Sequence, residues 1–267
     1  LPGISETAKI FAGVDTTKAP IPVTPTVHYN MGGVPTNYHA EVVSPRNGDL
    51  EAVVPGLMAI GEGACVSVHG ANRLGTNSLL DLVVFGRAAA LRAQSLIKPN
   101  TPLRSLPKGA GEQSFARLDR LRHAKGTLKT SAIRLQMQKT MQAHCSVFRR
   151  QDILAAGLTK MQEIHTSLQD IALFDRSLIW NSDLMEALEL ENLIGQSLVT
   201  LASALARQES RGGHARDDYP KREDQKWLKH TLDWVDGKGE IKLEYRPVHM
   251  YTLTDEVEVV PLQERVY

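Results

Sequence analysis

Apolar residues recur every three or four positions through much of the second half of the chain, which is the spacing of one helix face. This pattern predicts a short helix and then longer amphipathic helices over residues 128–148, 153–168 and 183–209. Apolar stripes of this kind are typical of a helical bundle, so we expect about three long helices packed together within residues 112–216. The predicted core positions are Phe115, Leu118, Leu121, Met137, Met141, Cys145, Phe148, Leu154, Leu158, Met161, His165, Leu168, Leu184, Leu188, Leu198, Leu201 and Leu205.

Residues 1–27 combine a short amphipathic helix with a proline-rich stretch. Apolar residues at helical spacing up to Phe11 predict the helix. Proline fixes φ and has no N–H to donate, so three prolines in close succession predict an extended connector. These prolines are Pro20, Pro22 and Pro25.

The pattern in residues 28–97 changes to strands and turns followed by one helix. Residues 53–60 predict a turn that leads into a short buried strand. Asn77 or Ser78 suits the N-cap of an apolar helix that runs to about Ser95, in which residues 80–85 are expected to be core. A strand, a glycine-containing loop and a helix in this order are typical of a dinucleotide-binding type of α/β domain.

The remaining segments are a linker and a small C-terminal segment. Proline and glycine are frequent in residues 98–111, which predicts a linker. Within residues 217–267, alternation over 241–245 after the turn at 236–239 predicts a half-exposed strand. We expect residues 251–260 to form its partner strand.

Composition excludes several classes of function. The net charge is +1 and aromatic residues are 5%, so the chain has neither the overall positive charge nor the stacking residues typical of nucleic-acid binding. The apolar run over residues 79–85 contains Asp81 and is far shorter than the roughly 20 residues of a membrane-spanning helix. We therefore expect a globular chain with no nucleic-acid partner.

The two cysteines, Cys65 and Cys145, lie far apart in sequence, with no CxxC motif. This spacing disfavours a zinc or iron–sulfur site within the chain, and we expect two free thiols and no metal. Cys65 follows Gly61 and Glu62 closely. It is expected near the candidate site described below and sensitive to alkylation without being catalytic.

Two motifs carry the candidate chemistry. Residues 28–33 read HYNMGG, and residues 69–82 read HGANRLGTNSLLDL. Glycine allows a close approach of backbone to a ligand, and the planar guanidinium of Arg73 can grip a carboxylate with two parallel hydrogen bonds. Such a loop beside an apolar helix suits a small dicarboxylate that lies against a flat cofactor.

On these motifs the chain resembles the C-terminal portion of flavoprotein subunits of the succinate dehydrogenase/fumarate reductase family. The resemblance runs from residue 1 to residue 267 but covers less than half of a typical member. It implies an α/β plus α fold in which part of an FAD-binding Rossmann-like domain is followed by a helical bundle and a small α+β segment. The implied domains are the end of a capping domain with its connector (1–27), the C-terminal part of the FAD-binding domain (28–97), a linker (98–111), the helical bundle (112–216) and a small C-terminal domain (217–267).

The resemblance assigns substrate-binding roles that the residues alone leave open. A lone histidine such as His28 is most often an ordinary core residue, and a lone arginine such as Arg73 is most often a surface charge. In the family, the matching histidine hydrogen-bonds one substrate carboxylate and the matching arginine binds the other part of the dicarboxylate. Thr76 stands where relatives often carry Gly, Ala or Ser, and its backbone amide is expected to face substrate. His69 is expected to be structural.

The resemblance also implies FAD as the cofactor. Tyr29 is expected to contact the flavin, and Glu62 to accept hydrogen bonds from ribityl hydroxyls. Asn77, Ser78 and Leu79 open the long helix, where free N–H groups and the helix dipole would face the pyrimidine end of the flavin.

Other parts of the family's site are expected upstream of this sequence. No GxGxxG turn is present, and the family's flavin-attachment histidine and proton-shuttle arginine have no counterpart here. We therefore expect no catalytic residue in this chain, which would hold half of a substrate site and half of a flavin site. The stretch RGGHAR at residues 211–216 resembles the family's RGAH-x-R. It is expected to join the bundle to the flavin domain rather than to bind an anion.

The implied activity is oxidation of succinate to fumarate by hydride transfer to FAD, with electrons passed to an iron–sulfur subunit towards quinone. Membrane anchor subunits would be indirect partners, and the missing N-terminal half of the flavoprotein a direct one. The expected location is peripheral, at the inner face of the bacterial cytoplasmic membrane or the matrix side of the mitochondrial inner membrane. The sequence Pro35-Thr36-Asn37 favours a dehydrogenase over a dedicated fumarate reductase. A fumarate reductase-type flavoprotein and a non-catalytic structural fragment remain as alternatives.

Overall fold

A computed structural model describes residues 1–24 and 26–263. Pro25, the third proline of the predicted connector, and residues 264–267, the end of the predicted C-terminal segment, lie outside the described residues.

The chain divides into two compact units, residues 1–30 and residues 31–267. The first contains α1 (Pro2–Ala12), which buries Ala8 and ends at Gly13 in a left-handed conformation. Proline in the first helical turn is tolerated because the N–H it lacks would have no partner there. The predicted amphipathic helix is therefore present.

The second unit begins with short strands and one long helix. These elements are β1 (Val34–Pro35), β2 (Glu41–Val43), β3 (Val53–Met58), a 3₁₀-helix (Gly61–Gly63), β4 (Ala64–Cys65) and α2 (Asn77–Leu96). Strand β1 pairs in parallel with β4, and β2 pairs with β3 in antiparallel fashion with an irregular register. The mixture of helix and strand agrees with the predicted mixed class.

Strand β3 differs from the expected buried strand over residues 53–60. It ends at Met58, and all six of its residues are half-exposed or exposed. It pairs only with β2 among the described strands, so its other edge has no partner strand there.

The middle of the second unit is a helical bundle. Its elements are α3 (Glu112–Arg122), β5 (Leu128–Lys129), α4 (Thr130–His144), β6 (Phe148–Arg149), α5 (Gln151–Ser167), a 3₁₀-helix (Leu168–Asp170), β7 (Ile171–Ala172) and α6 (Ser182–Ala206). Helices α4, α5 and α6 pack against one another, and α3 packs on α6. Leucine and isoleucine side chains along α6 fill the centre, where Leu190, Ile194 and Leu198 are fully buried.

Two predicted core positions in the bundle are wrong, because Phe115 of α3 and Phe148 are both 72% exposed. Phe148 does not continue the apolar face of α4, because α4 ends at His144 and Phe148 belongs to β6. Strand β6 instead pairs in parallel with β8 (Ala215–Arg216), which draws the chain out of the helix.

The C-terminal segment holds a short helix, α7 (Asp224–Trp227), and a hairpin of β9 (Lys229–Val235) and β10 (Ile241–Pro247). The predicted partner of β10 at residues 251–260 is wrong, because β10 pairs with β9. The Asp236 carboxylate accepts hydrogen bonds from the N–H groups of Lys238 and Glu240, which closes a tight turn and pairs the neighbouring strands.

Helix α2 exposes most of the apolar face that was expected to be core. Asp81 is its one buried residue, while Leu79, Val83 and Val84 are more than half exposed. The periodicity was correct for the helix, but these apolar side chains remain exposed. Within the described residues, no helix has the length and hydropathy required to cross a membrane.

Two helical glycines give a matched test of the bundle's packing. A Cβ on Gly157 of α5 would lie 2.4 Å from His144 Cβ, whereas a Cβ on Gly195 of α6 would meet its nearest neighbour at 3.8 Å. Gly157→Ala should lower the free energy of unfolding by about 1–3 kcal/mol through overpacking. Gly195→Ala should raise it by roughly 0.5–1 kcal/mol, because alanine favours helix. Chemical denaturation followed by circular dichroism measures both, and equal effects would contradict the packing described.

Candidate functional site

Gly33, the last residue of the HYNMGG stretch, lies close to the segment before the HGANRLG loop. Gly33 adopts φ +140°, and an added Cβ there would lie 2.7 Å from the carbonyl oxygen of Gly63. Just beyond these glycines, β1 and β4 pair in parallel, with Val34 opposite Ala64. Glycine at position 33 therefore permits the close backbone contact beside which β1 pairs with β4.

Glu62 lies in the 3₁₀-helix, which packs against α2. An added Cβ on Gly61 would lie 2.4 Å from Cδ2 of Leu82, so the two helices touch at this point. Glu62 itself is exposed. The structure thus places this carboxylate on an element that contacts the first turns of α2, where other predicted flavin-binding residues lie.

Arg73 is half-buried in the loop before α2. Its Nη1 donates a hydrogen bond of 2.9 Å to the carbonyl oxygen of Leu74. Thr76, which follows in the same loop, has φ +70°. A left-handed backbone is unfavourable for a β-branched residue by roughly 1–2 kcal/mol, so the loop holds Thr76 in a strained conformation directly before the helix.

The start of α2 differs from the prediction in two respects. The N-cap is Thr76 rather than Asn77 or Ser78, and its side chain makes no capping hydrogen bond, since its hydroxyl donates to the Gly75 carbonyl oxygen. The N–H of Asn77 donates to Leu74 at 3.3 Å, and the N–H of Leu79 donates to Thr76 at 3.1 Å. The expectation of free N–H groups is therefore wrong for Asn77 and Leu79.

His69 has the structural role that the sequence indicated. Its Nε2 lies 2.9 Å from Oδ2 of Asp81, and both side chains are almost fully buried. The pair ties the loop to α2 four residues before Arg73. Sequence reasoning named Asp81 only as an interruption of an apolar run, although a lone carboxylate in such a run is itself a signal of a buried polar contact.

His28 and Tyr29 belong to the first compact unit, whereas Glu62, Arg73, Thr76 and the start of α2 belong to the second. His28 is exposed and Tyr29 is half-buried.

A hydrogen bond between Ser67 and His230 was not anticipated from sequence. The two side chains meet at 3.0 Å, which joins the segment after β4 to the hairpin. Burial and the nearby guanidinium of Arg246 lower the pKa of His230 to about 4, so the imidazole is neutral at pH 7. No pattern in the sequence pairs positions this far apart.

The RGGHAR stretch forms ion pairs within the chain. Arg211 donates to Glu209 and Asp224, and Arg216 donates to Asp218. Burial alone would raise the pKa of Glu209, but hydrogen bonds from Arg211, from a backbone N–H and from Arg207 hold that pKa below its usual value. Both arginines already face carboxylates, which favours a structural role for this stretch over anion binding.

Comparison with known proteins identifies the family. Residues 134–267 match the family model described as fumarate reductase flavoprotein C-term, and residues 1–79 match one described as FAD binding domain. The chain belongs to the fumarate reductase flavoprotein C-terminal family. This confirms the resemblance inferred from the motifs and supports FAD as the cofactor.

Individual relatives support the same assignment. The chain is 61% identical over its whole length to a succinate dehydrogenase flavoprotein subunit of Rickettsia conorii, and 58% identical to a mitochondrial one of Oryza sativa. It covers 45% and 42% of those proteins, so it spans about half the length of the curated relatives it matches. An E. coli quinol fumarate reductase is similar in structure, with a TM-score of 0.83 and 35% identity over 95% of this chain and 42% of that one.

Both cysteines of this family member are free thiols. Burial raises the pKa of Cys65 and of Cys145 above the usual value of 9.0. The thiolate is the reactive form, so both should be poor nucleophiles at neutral pH, which opposes the expected alkylation sensitivity of Cys65.

We therefore expect iodoacetamide to label Cys65 and Cys145 more slowly in the folded chain than in the denatured chain at pH 7. The labelling rate of the folded chain should still be rising with pH above 9, because the thiols ionise late. Mass spectrometry of timed samples measures both rates. Equal rates in the folded and denatured chain would contradict the shielding of Cys65.

Proposed function

We propose that this chain is the C-terminal part of the flavoprotein subunit of a succinate dehydrogenase. The complete subunit would oxidise succinate to fumarate and pass electrons to an iron–sulfur subunit towards quinone. The observation that carries the proposal is the loop that holds Arg73 and leads through strained Thr76 directly into α2, beside the 3₁₀-helix that bears Glu62. Arg73 thus supplies a cation for an anionic substrate, and Glu62 supplies a hydrogen-bond acceptor for a polyhydroxylated cofactor.

The proposed domain organisation follows the same assignment. The short strands and α2 would form one portion of a larger Rossmann-like domain, and the bundle and hairpin follow it. The proposed parts are the end of the capping domain with its connector (1–27), the C-terminal part of the FAD-binding domain (28–97), a linker (98–111), the helical bundle (112–216) and the small C-terminal domain (217–267).

The dicarboxylate would be held by His28, Arg73 and the backbone amide of Thr76. A charge-assisted hydrogen bond to a carboxylate contributes about 1.5–3 kcal/mol, and the planar guanidinium also fixes the carboxylate's orientation. These residues would bind and orient the substrate, and no proton transfer is assigned to them.

FAD would supply the hydride acceptor, and five residues of this chain are proposed to hold it. Exposed Glu62 can accept hydrogen bonds from hydroxyls, and half-buried Tyr29 offers a contact surface. The start of α2 adds the positive end of a helix dipole from Asn77, Ser78 and Leu79, although two of their N–H groups already bond within the loop. Gly33 and Gly63 are in close backbone contact and have no side chains, so this part of the domain would present main-chain atoms to FAD.

The exposed apolar face of α2 supports a direct contact with the preceding half of the flavoprotein. Leu79, Val83 and Val84 lie within six residues of one helix and are all more than half exposed, and exposed apolar side chains grouped in this way are typical of a contact surface. The assembled enzyme would lie peripherally on the inner face of the bacterial cytoplasmic membrane or the matrix side of the mitochondrial inner membrane, linked through the iron–sulfur subunit to membrane anchor subunits. A fumarate reductase-type enzyme, which runs the same reaction in reverse, is the alternative within the class.

The same exposed face supports a second hypothesis for the function of the 267 residues taken alone. A chain with half of each site and an uncovered helix would be a structural fragment without turnover. Succinate-dependent dye reduction by the isolated chain would exclude this reading.

Purification from the native source tests the assembly. We expect the chain to carry flavin absorbance and to co-purify with a polypeptide, or a continuous N-terminal extension, that contains a GxGxxG turn. Absorbance spectra and intact-mass measurement give both results. A native preparation with neither flavin nor such a sequence would exclude the proposed enzyme.

Substitution of the two predicted substrate ligands tests the site in the complete flavoprotein. Arg73→Ala should reduce the rate by about 10²–10³, because one preorganised electrostatic donor is lost. His28→Ala should mainly raise KM for succinate. Arg104→Ala, in the exposed linker, is the control and should behave as the unsubstituted enzyme. Steady-state kinetics measure all three, and near-normal turnover in Arg73→Ala would refute the assignment.

A further inference from the structure

The loop over residues 67–76 has an unusual backbone and an ordered pattern of burial. Ser67, Gly70 and Thr76 all have positive φ, which regular structure does not stabilise. Exposure alternates along the loop, with residues 67, 69, 71 and 73 half-buried and residues 68, 70, 72 and 74 exposed. Every second residue before Arg73 therefore faces the protein and is available to hold the loop in place.

Each of these inward positions has a partner on a different element. Ser67 bonds His230 of the hairpin, and His69 bonds Asp81 of α2. The carbonyl oxygen of Ala71 accepts a 2.9 Å hydrogen bond from the N–H of Gly213. Of the three contacts, the one at Ala71 lies nearest to Arg73 in sequence.

The contact at Ala71 requires glycine at one position and not at its neighbour. Gly212 has φ +57°, and an added Cβ would lie 2.3 Å from the carbonyl oxygen of Ala71 and 2.8 Å from its Cβ. Neither atom can rotate away, so the loop or the turn would have to move. A Cβ on Gly213 would meet only ordinary contacts, 3.5 Å from Met31 and 3.6 Å from Ala71.

The turn that makes this contact is itself held firmly. Arg211 and His214 exchange two backbone hydrogen bonds around the two glycines. The Arg211 guanidinium bonds fully buried Glu209 through two nitrogens. His214 accepts from Arg149 at 2.8 Å and donates to the carbonyl oxygen of Arg207 at 3.0 Å. These hydrogen bonds therefore fix the turn relative to the bundle.

We propose that the Arg211–His214 turn is a positioning element for Arg73: its glycines fix the main chain at Ala71 and thereby set where the guanidinium meets the dicarboxylate. The inference rests on the proposed function. It gives the RGGHAR stretch a role in substrate affinity in addition to its role in joining parts of the chain.

Hydrogen exchange in the 267-residue chain tests the contact without any activity. Gly212→Ala should increase exchange in peptides that cover residues 67–76 and leave α4, α5 and α6 as protected as before. Gly213→Ala is the matched control, with the same added methyl and no close contact, and should leave the loop unchanged. Unaltered loop exchange in a folded Gly212→Ala chain would overturn the proposal.

Kinetics of the complete flavoprotein test the consequence. Gly212→Ala should raise KM for succinate about 10- to 100-fold at unchanged FAD content, because a displaced ligand loses its alignment with the carboxylate. Gly213→Ala should change KM less than about twofold. In an Arg73→Ala background, Gly212→Ala should have no further effect on KM, since the two changes act through one group.

These outcomes separate the two proposals. Normal turnover in Arg73→Ala refutes the proposed function, whereas impaired Arg73→Ala with a normal KM in Gly212→Ala refutes only the positioning role. If Gly212→Ala does not fold, Arg211→Lys loosens the same turn while it keeps the charge beside Glu209, and should raise KM about threefold or more. An unchanged KM in Arg211→Lys then overturns the proposal.

Discussion

The buried carboxylate of Glu209 is the constraint on which the C-terminal half of the chain depends. It is fully enclosed and receives hydrogen bonds from Arg207, from Arg211 and from the N–H of Glu223. Arg207 in turn donates to the carbonyl oxygen of Lys229 at the start of the hairpin. A buried charge that loses a partner costs roughly 3–5 kcal/mol, so the end of α6, the glycine turn and the hairpin are fixed together.

The order imposed at Glu209 extends to the loop that carries Arg73. The glycine turn holds the loop at Ala71, and the hairpin holds it at Ser67 through His230. This explains how a loop with several left-handed residues keeps one conformation. Strained backbone persists only where its surroundings determine it, and here the surroundings come from elements more than a hundred residues further along the chain.

The bundle buries its apolar residues, whereas α2 leaves several of its own exposed. The bundle buries its apolar stripes, and α6 contributes fully buried residues along much of its length. Helix α2 instead directs its apolar residues outward and buries a carboxylate, Asp81. This contrast agrees with a chain that spans about half of the relatives it matches.

The sequence by itself determined the helices, the two site motifs and the family, because periodicity of apolar residues and short glycine-rich motifs are local properties. It placed the long helices within a few residues of their observed ends. The tertiary structure alone decided that β10 pairs with β9, that Phe148 leaves the helix and that α2 exposes Val83. It also decided that Gly212 meets Ala71. Each of these depends on which distant segment fills the neighbouring space, and no local pattern encodes that choice.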